Sequence, residues 1–434
     1  GWLNDPNGMV YYDGEYHLFF QHNPFGWNWG NMTWGHAVSP DMVHWKELGD
    51  AIHPDELGTI FSGSAVVDAD NVSGFQTRRQ GSGQAGKDKP IVCFYTTAGG
   101  QNKWSEGQPY AQCIAYSNDR GRSWTKYDGN PIVGHIRGGN RDPKVIWHEP
   151  TQRWVMVLYV EQNAMDFFTS TDLKEWTFTS RLESFHECPE LFELPVGGDA
   201  NHSRWVIYGA HGKYFLGDFD GETFTPDEEA IDFNRGNCFY ASQTFNHTPD
   251  GRRVQMAWGR INTPGMPFNQ SMLFPVELGL KTTKEGIRMI ANPIAEIASL
   301  HGKLHDESDL ALDGDCAVDG PAGDLFHIRA VLDVGEAEAV GLTIRGVPVT
   351  YDAAKGELSC QDRSAGMPAR DGKVRLELLV DRNSIEIFAN EGEVYMPMGV
   401  SLADHEPPIG LFSKGGKAAV ESLEVVELES IWGR

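Results

Sequence analysis

Short runs of apolar residues recur along the chain, separated by clusters of Gly, Pro, Asn and Asp. Typical runs are Tyr16–Phe20, Ile91–Tyr95, Trp154–Tyr159 and Trp205–Tyr208. Runs of this length that are rich in β-branched and aromatic residues predict strands, and the clusters between them predict reversals of the chain. Long stretches of helical periodicity are nearly absent. The pattern therefore predicts an all-β chain.

A recurring turn divides the first half of the chain into similar units. Serine, then aspartate two residues later, then tryptophan occur at Ser39-Pro40-Asp41 to Trp45, Ser117-Asn118-Asp119 to Trp124 and Ser170-Thr171-Asp172 to Trp176, with a degenerate copy from Asp218 to Phe224. The period of about fifty residues is typical of propeller blades that contain four strands each. The wider first interval predicts an insertion.

That insertion contains Gly81-Ser82-Gly83-Gln84-Ala85-Gly86, which matches the letters of a dinucleotide-binding motif. Such a motif functions only where a strand leads into it and a helix follows. Here Pro90 follows before any helix can begin, and no strand runs directly into the glycines. We therefore predict a surface loop without a cofactor.

The composition changes near residue 290, where a brief helical pattern gives way to small and acidic residues. Beyond it, alternating segments such as Val374–Val380 and Ser384–Phe388 predict antiparallel strands of a sandwich, and Ser430–Trp432 predicts a last strand. We divide the chain into a propeller domain over residues 1–290, a linker over 291–303 and a β-sandwich domain over 304–434.

Bulk properties exclude several classes of function. With 434 residues, two domains are expected. The formal net charge of -25 would repel phosphate backbones and anionic lipids, so we expect neither nucleic acid partners nor membrane insertion. No apolar run reaches the length of a membrane span, and the first residues are not a signal peptide.

The six cysteines are scattered without metal-ligand spacing, so we expect no metal site. They also form no disulfide framework. Cys93 and Cys113 lie in neighbouring predicted strands and could pair if oxidised, but two buried free thiols are the favoured state.

Three carboxylates, Asp5, Asp142 and Glu187, lie in unusual settings. Asp5-Pro6 and Asn7-Gly8 are turn dipeptides, so the opening stretch predicts a turn that either is only structural or holds one carboxylate at the end of a strand. Arg141 would keep its neighbour Asp142 ionised, or would pair with it as a simple turn residue. Apolar neighbours could raise the pKa of Glu187 towards that of a general acid, although a solvated loop glutamate is the simpler interpretation.

Carboxylates with few basic neighbours are typical of enzymes that cleave acetals, where one acid protonates the leaving oxygen and another attacks or stabilises the cationic centre. Sugars are the natural substrates of such chemistry. Trp27 and Trp29 lie between glycines, which predicts a loop that offers indole faces to a sugar ring, whereas Trp34 has core packing as a competing explanation.

Seven ordered motifs together resemble glycoside hydrolase family 32. They are Trp2–Gly8, Phe20–Pro24, Trp29-Gly30 with Trp34–Ala37, Phe61–Ser64, Arg141–Pro143, Glu187–Pro189 and Asp381–Phe388. The resemblance covers essentially the whole chain. It implies a five-bladed β-propeller followed by a C-terminal β-sandwich, and a retaining hydrolase that acts on β-D-fructofuranosides such as levan, inulin or sucrose.

The resemblance also implies roles for individual residues. Asp5 matches the nucleophile, Glu187 the acid and base, and Asp142 the residue that stabilises the transition state. The positions that match the lining of the fructose pocket are Trp2, Asn4, Gln21, Trp29, Phe61, Ser62, Arg141 and, more weakly, Trp258. Glu190 is the second candidate for the acid, but it lies outside the motif.

Two departures from the family pattern affect these expectations. Cys238 precedes Phe239-Tyr240-Ala241, where many members have an aspartate, so the tuning of the acid cannot be carried over. Family chains also have a short segment before the tryptophan motif, so we expect a trimmed chain whose blade closure is incomplete.

Other functions stay open at this point. A fructosyltransferase would use the same carboxylates, an inverting arabinan-type hydrolase would place them farther apart, and a fructan-binding protein would not use them for catalysis. We expect a secreted or periplasmic protein, and an oligomer through the β-sandwich is possible.

Overall fold

The computed structural model describes residues 1–77, 88–402 and 407–432. The glycine-rich motif Gly81–Gly86 therefore lies outside the described residues. Within the described ranges almost every element is a strand, and the helices are short 3₁₀ turns at Lys103–Ser105, Glu149–Thr151 and Ala295–Leu300. None of these helices is long and apolar enough to cross a bilayer. The all-β prediction is confirmed.

The first compact unit comprises Gly1–Asp232 and Tyr240–Pro275 and is a β-propeller. Its described strands form antiparallel sheets of consecutive strands. The first three sheets are β1 (Trp2–Tyr12), β2 (Glu15–Asn23), β3 (Thr33–Ser39) and β4 (Lys46–Glu47); β5 (Thr59–Val67), β6 (Ile91–Ala98), β7 (Ala111–Ser117) and β8 (Thr125–Lys126); and β9 (Arg141–His148), β10 (Arg153–Val160), β11 (Ala164–Ser170) and β12 (Thr177–Glu183).

The remaining strands of the propeller follow the same order. They are β13 (Glu190–Val196), β14 (Asp199–Tyr208), β15 (Lys213–Phe219), β16 (Phe224–Pro226) and β17 (Ile231–Asp232), and then β18 (Phe239–Thr244), β19 (Arg253–Gly259) and β20 (Ser271–Met272). Strands β13 to β16 pair in sequence, and β18 to β20 do the same. The count of five blades stays a prediction.

The second compact unit comprises Phe233–Phe239 and Val276–Arg434. It opens with a hairpin of β21 (Val276–Thr283) and β22 (Gly286–Pro293). The other strands are β23 (His301–Leu312), β24 (Asp315–Ala317), β25 (Phe326–Asp333), β26 (Ala339–Ile344), β27 (Val347–Asp352), β28 (Glu357–Cys360), β29 (Arg363–Gly366), β30 (Lys373–Asp381), β31 (Ser384–Ala389), β32 (Val394–Gly399), β33 (Ile409–Lys414) and β34 (Ala418–Leu428).

These strands form the predicted β-sandwich. One described sheet has the order β23-β34-β25-β30-β31-β32, and the other has the order β24-β33-β26-β27-β28-β29. Alternate residues of both sheets, including Ile328, Leu378 and Leu342, are fully buried in one shared core. The domain limits at residues 290 and 303 stay predictions. The predicted strand at Ser430–Trp432 is wrong, because the last strand ends at Leu428 and no ladder partner continues it in the described residues.

The recurring serine and aspartate turn follows the third strand of each of the first three sheets, and Asp220 makes a similar turn without a serine after β15. In the turn after β3, the Asp41 carboxylate accepts hydrogen bonds from Ser39 Oγ at 3.0 Å and from the backbone N–H of His44 at 2.8 Å. Asp119 and Asp172 make the same contacts after β7 and β11. These donors overcome the effect of burial and lower the pKa of Asp41 to about 2. The repeat therefore marks one structural unit, as predicted.

The opening stretch is the main correction to the predicted fold. Asp5 to Gly8 do not form a turn; they lie within β1, whose pairing with β2 is interrupted by irregularities between Leu3 and Pro6 and again between Asn7 and Val10. The turn dipeptides make bulges, because bulged strands use the same backbone conformations as turns. Gly8 has a φ of 54°, a region that glycine occupies without strain.

Hydrogen bonds within the propeller hold the first residues of β1. The N–H of Leu3 donates to the carbonyl of Asn269 at 3.1 Å, and the N–H of Asn269 donates to the carbonyl of Gly1 at 2.8 Å. Farther along β1, Tyr11 and Asn246 are joined in the same way at 2.9 Å. The strand that carries Asp5 is therefore fixed along its length.

The buried side chains of the propeller agree with the sequence analysis. Trp34 is fully buried, and its indole N–H donates to the carbonyl of Phe61 at 3.0 Å. Cys93 and Cys113 are buried free thiols, as favoured. The segment around Trp27 and Trp29 lies between β2 and β3 and is the predicted loop.

Candidate active site

The candidate site lies where several strands of the propeller begin. Asp5 is near the start of β1, Ser62 near the start of β5, Asp142 near the start of β9 and Tyr240 near the start of β18. Glu187 lies in the loop that leads into β13. Hydrogen bonds between these strands, described below, show that residues far apart in sequence share one site.

Asp5 is held by two hydrogen-bond donors. Its Oδ2 accepts a bond of 2.6 Å from Ser62 Oγ, and its Oδ1 accepts a bond of 3.0 Å from Asn4 Nδ2. Trp2 fixes the Asn4 amide in turn, since its indole N–H donates to Asn4 Oδ1 at 2.8 Å. Burial raises the pKa of Asp5, and these donors counteract the rise only in part. Both carboxylate oxygens of Asp5 are therefore held in a fixed orientation.

Asp142 is buried beside Arg141 but is not its closest partner. The distance from Arg141 Nε to Asp142 Oδ2 is 3.7 Å, and Asp142 Oδ2 accepts a bond of 3.1 Å from the backbone N–H of Cys188. Burial raises the pKa of Asp142 to about 7 against the attraction of Arg141. The prediction that Arg141 keeps Asp142 ionised is therefore wrong.

Arg141 instead binds Glu187. Its Nε and Nη2 donate to Glu187 Oε2 at 2.9 and 2.6 Å, and the hydroxyl of Tyr240 donates to Glu187 Oε1 at 2.5 Å. Burial alone would raise the pKa of Glu187, but Arg141 and Tyr240 outweigh it and lower that pKa below the usual glutamate range. The expectation of a raised pKa at Glu187 is therefore wrong for the free site.

Cys188 lies between two of the carboxylates. Its Sγ is 3.7 Å from Asp5 Oδ2 and 3.5 Å from Asp142 Oδ2. Burial raises the pKa of this thiol well above its ordinary value, and the adjacent carboxylates add to the rise. The group therefore stays a neutral thiol, which separates the two carboxylates without adding charge.

Four non-glycine residues of the site have positive φ angles. The values are 65° for Asp142, 34° for Glu187, 45° for Cys188 and 47° for Ala241. Each such residue costs of order 1–3 kcal/mol, and residues of this kind cluster where function fixes the direction of a side chain. The strain supports a functional role for the loop at Glu187 and Cys188.

Aromatic side chains form the walls of the site. Trp258 lies edge-on to Trp2 and to Tyr240, with ring centroids 6.1 and 5.8 Å apart. On another side, Trp29 lies edge-on to Phe61 at 5.9 Å. Asn4, Ser62 and Arg141 thus contact the carboxylates directly. Trp2 is linked to them through Asn4, Trp258 through Tyr240, and Trp29 more distantly through Phe61, the neighbour of Ser62.

Gln21 and Glu190 have no described contact with Asp5, Asp142 or Glu187, unlike most of the other predicted residues. Gln21 is buried on β2 opposite Trp34, and its Nε2 has no hydrogen-bond partner in the described part of the chain. Glu190, the second candidate for the acid, is fully buried and forms an ion pair with Lys144 at 2.8 Å. That pairing makes Glu190 a structural residue.

Several residues of the site have no role predicted from the sequence motifs. Tyr240 is the most direct of them, since it bonds Glu187, and the Phe-Tyr-Ala motif was the only signal for it. Tyr110 lies edge-on to Phe61 at 5.7 Å, and Glu161 lies 3.5 Å from Arg141 Nη1. No motif marks Tyr110 or Glu161, so only the structure could place them.

Carboxylates that converge at one site, one of them bound to an arginine and a tyrosine, suit the nucleophilic and acid–base roles of a glycoside hydrolase. The model of the glycosyl hydrolases family 32 N-terminal domain matches residues 1–293, and that of the family 32 C-terminal domain matches residues 296–427. The chain belongs to glycosyl hydrolases family 32.

Relatives and solved structures agree with this assignment. Levanase of Bacillus subtilis is 37% identical over 486 residues, which cover 100% of this chain and 69% of that protein. An extracellular exo-inulinase of Aspergillus ficuum is 31% identical over 510 residues, which cover 99% and 93%. The crystal structure of exo-inulinase from Aspergillus awamori has a TM-score of 0.85 at 29% identity, with 100% and 97% of the two chains covered. β-Fructofuranosidase from Schwanniomyces occidentalis, complexed with fructosyl-erythritol, has a TM-score of 0.85 at 28% identity, with 99% and 96% covered.

Proposed function

We propose that the chain is a retaining hydrolase that releases terminal β-D-fructofuranosyl units from levan, inulin or sucrose. The observation that carries the proposal is the convergence of Asp5, Asp142 and Glu187, linked through Arg141 and Cys188. The names of the relatives, a levanase and an exo-inulinase, supply the substrate class.

In the proposed reaction, the Asp5 carboxylate attacks the anomeric carbon C2 of fructose while Glu187 donates a proton to the leaving oxygen. Water then attacks the covalent intermediate, Glu187 removes a proton from it, and the Asp5–C2 bond breaks. Ser62 and Asn4 orient Asp5 for this attack. Asp142 and Arg141 bind the hydroxyl groups of fructose, and Trp2 and Trp258 lie beside its furanose ring.

Glu187 must carry a proton to act as the acid, yet its contacts favour the carboxylate. We infer that, of the two carboxylates beside Arg141, Asp142 holds the proton in the free site and Glu187 takes it up when substrate enters. A substrate hydroxyl that bonds Asp142 would favour its ionised form, and exclusion of water from Glu187 by the leaving sugar would favour the protonated form of Glu187.

Variants at two carboxylates test the proposal. Asp5→Asn and Glu187→Gln should each lower fructose release from sucrose by at least about 10³-fold, because they remove the nucleophile and the general acid. Asp13→Asn, an exposed residue at the other end of β1, is the matched control and should retain activity. Near-parental activity in either site variant would refute the assigned roles.

Product analysis separates hydrolysis from transfer. At high sucrose concentration a hydrolase yields fructose and glucose, whereas a fructosyltransferase yields oligosaccharides. Because one relative is named an extracellular enzyme, we further propose that this protein acts outside the cytoplasm. Oligomer formation through the β-sandwich stays a prediction.

A further inference from the structure

A cavity of about 340 Å³ lies in the propeller unit, at the opposite ends of the strands that carry the candidate site. On β9, Asp142 is at the start of the strand, and Trp147 and His148 line the cavity at its end. The six residues from Asp142 to His148 span about 20 Å of extended chain. The cavity is therefore separate from the proposed catalytic residues.

Two indole rings contribute to the apolar surface of the cavity. Trp147 is 37% exposed, and its indole N–H donates to Glu149 Oε2 at 2.6 Å, which fixes the direction of the ring. Trp205 lies 5.5 Å from the ring of His148. Both rings border the cavity together with polar side chains, an arrangement that suits a ligand with apolar faces and polar edges.

Arg253 is the arginine that lines the cavity. Its Nη1 donates to the carbonyl of Phe245 at 3.3 Å, and its guanidinium lies 5.2 Å from the centre of the Phe192 ring. Its Nε is buried and has no partner among the residues that the structure describes. Arg253 therefore places a positive charge beside the cavity, and this charge restricts which ligands can bind there.

The charges around the cavity favour a neutral ligand. Glu149 and Glu193 oppose an anion, as does the net charge of -25, while Arg253 opposes a cation. Carboxylates accept hydrogen bonds from hydroxyl groups, and a guanidinium donates to them. The size of the cavity suits a short saccharide.

We propose that this cavity binds a segment of a fructan chain at a second site, away from the catalytic one. The saccharide class follows from the cavity itself, and its identity as a fructan rests on the proposed function. Binding there would keep the enzyme on a polymeric substrate between cleavage events.

Electrophoresis through gels that contain inulin, levan or dextran tests the proposal, with Asp5→Asn protein so that the polymer is not digested. In that background Trp147→Ala and Glu193→Gln should each raise the apparent Kd for inulin or levan at least about fivefold. Phe178→Ala is the control, because Phe178 is a 52% exposed aromatic residue on β12 that does not line the cavity. Trp147→Ala with Asp5 intact shows by its sucrose turnover that the propeller is folded.

Equal retardation of the Trp147→Ala, Glu193→Gln and Phe178→Ala proteins would overturn the second site. Retardation by dextran as strong as that by inulin or levan would overturn the fructan assignment. Failure of the parent protein to release fructose from any substrate is a different result, since it refutes the proposed function while the gel comparison still tests the cavity.

Discussion

Glu187 is held as a carboxylate by Arg141 and by Tyr240, which is 53 residues away in sequence. The motif that contains Glu187 includes neither partner. For this reason the sequence predicted the direction of its pKa shift wrongly, although it identified the residue. The sequence also predicted the wrong direction for the pKa of Asp142, because its neighbour Arg141 binds Glu187 instead.

The pH dependence of the reaction tests this arrangement. If one proton is shared between Asp142 and Glu187, kcat/KM should fall above about pH 7, because loss of that proton leaves no general acid. Tyr240→Phe removes a hydrogen-bond donor to ionised Glu187, so the pKa of Glu187 should rise. The fall of kcat/KM on the basic side of the pH–rate profile should then move to higher pH. We expect kcat to fall about tenfold in addition.

The pH–rate profile on sucrose measures both effects. Tyr116→Phe is a suitable control, since Tyr116 stacks on Phe75 at 4.2 Å and lies outside the site. An unchanged basic limb in Tyr240→Phe would show that Tyr240 does not tune the acid. A limb that moves to lower pH would contradict the assigned hydrogen bond.

At the scale of elements, β1 places Asp5 through its bulges. An added Cβ at Gly8 would lie 2.5 Å from Phe19 Cδ2 and 3.0 Å from Trp34 Cζ3, both in fully buried rings. Gly8→Ala should therefore lower the free energy of unfolding by about 3 kcal/mol, from overpacking and from the positive φ together. It should also lower activity, because the strand carries the nucleophile.

Gly14→Ala separates the two causes. Gly14 has a φ of 90°, and nothing lies within 4 Å of its added Cβ. Only the cost of the positive φ applies at Gly14. We therefore expect Gly14→Ala to lower the free energy of unfolding, measured by urea denaturation, by about 1 kcal/mol. Equal losses in the two variants would mean that the packing around Gly8 contributes nothing.

Strands and their repeat were predictable, whereas the bulges were not. Runs such as Trp154–Tyr159 combine apolar and β-branched residues, so their local preference agrees with burial in the propeller. In the opening stretch, Asp-Pro and Asn-Gly have the local preference of a turn. Pairing of β1 with β2 overrides that preference, and this pairing depends on tertiary contacts that a local pattern does not contain.

At the scale of the whole molecule, buried histidines link stability to pH. His17 Nδ1 lies 3.1 Å from His36 Nε2, and His36 stacks on Phe19 with ring centroids 4.1 Å apart. Burial lowers the pKa of His17 to about 4, against the attraction of nearby Glu15. Its contribution to stability is therefore complete above pH 6.5 and is lost as the pH falls towards 4.

His17→Gln tests this contribution. Between pH 7 and pH 4.5 the parent should lose about 2 kcal/mol more of its unfolding free energy than the variant. Asp142, whose raised pKa favours the folded state as the pH falls, is present in both proteins, so the difference between them reports on His17 together with its contact to His36. Equal losses, measured by urea denaturation at the two pH values, would contradict the role of His17.

Seven motifs in order made the family predictable, since they cover both domains. The cavity at the far ends of the strands was not predictable, because no motif brings Trp147, Glu193 and Arg253 together in sequence. Only the closure of the propeller makes them neighbours.

The central claim is that Asp5 and Glu187 cleave a fructofuranosyl bond with retention. The most direct measurement is the NMR spectrum of the first product formed from sucrose in water with added methanol. Two displacements at C2 predict methyl β-D-fructofuranoside. Methyl α-D-fructofuranoside as the first product would contradict the claim, because it requires direct attack by the solvent on the substrate.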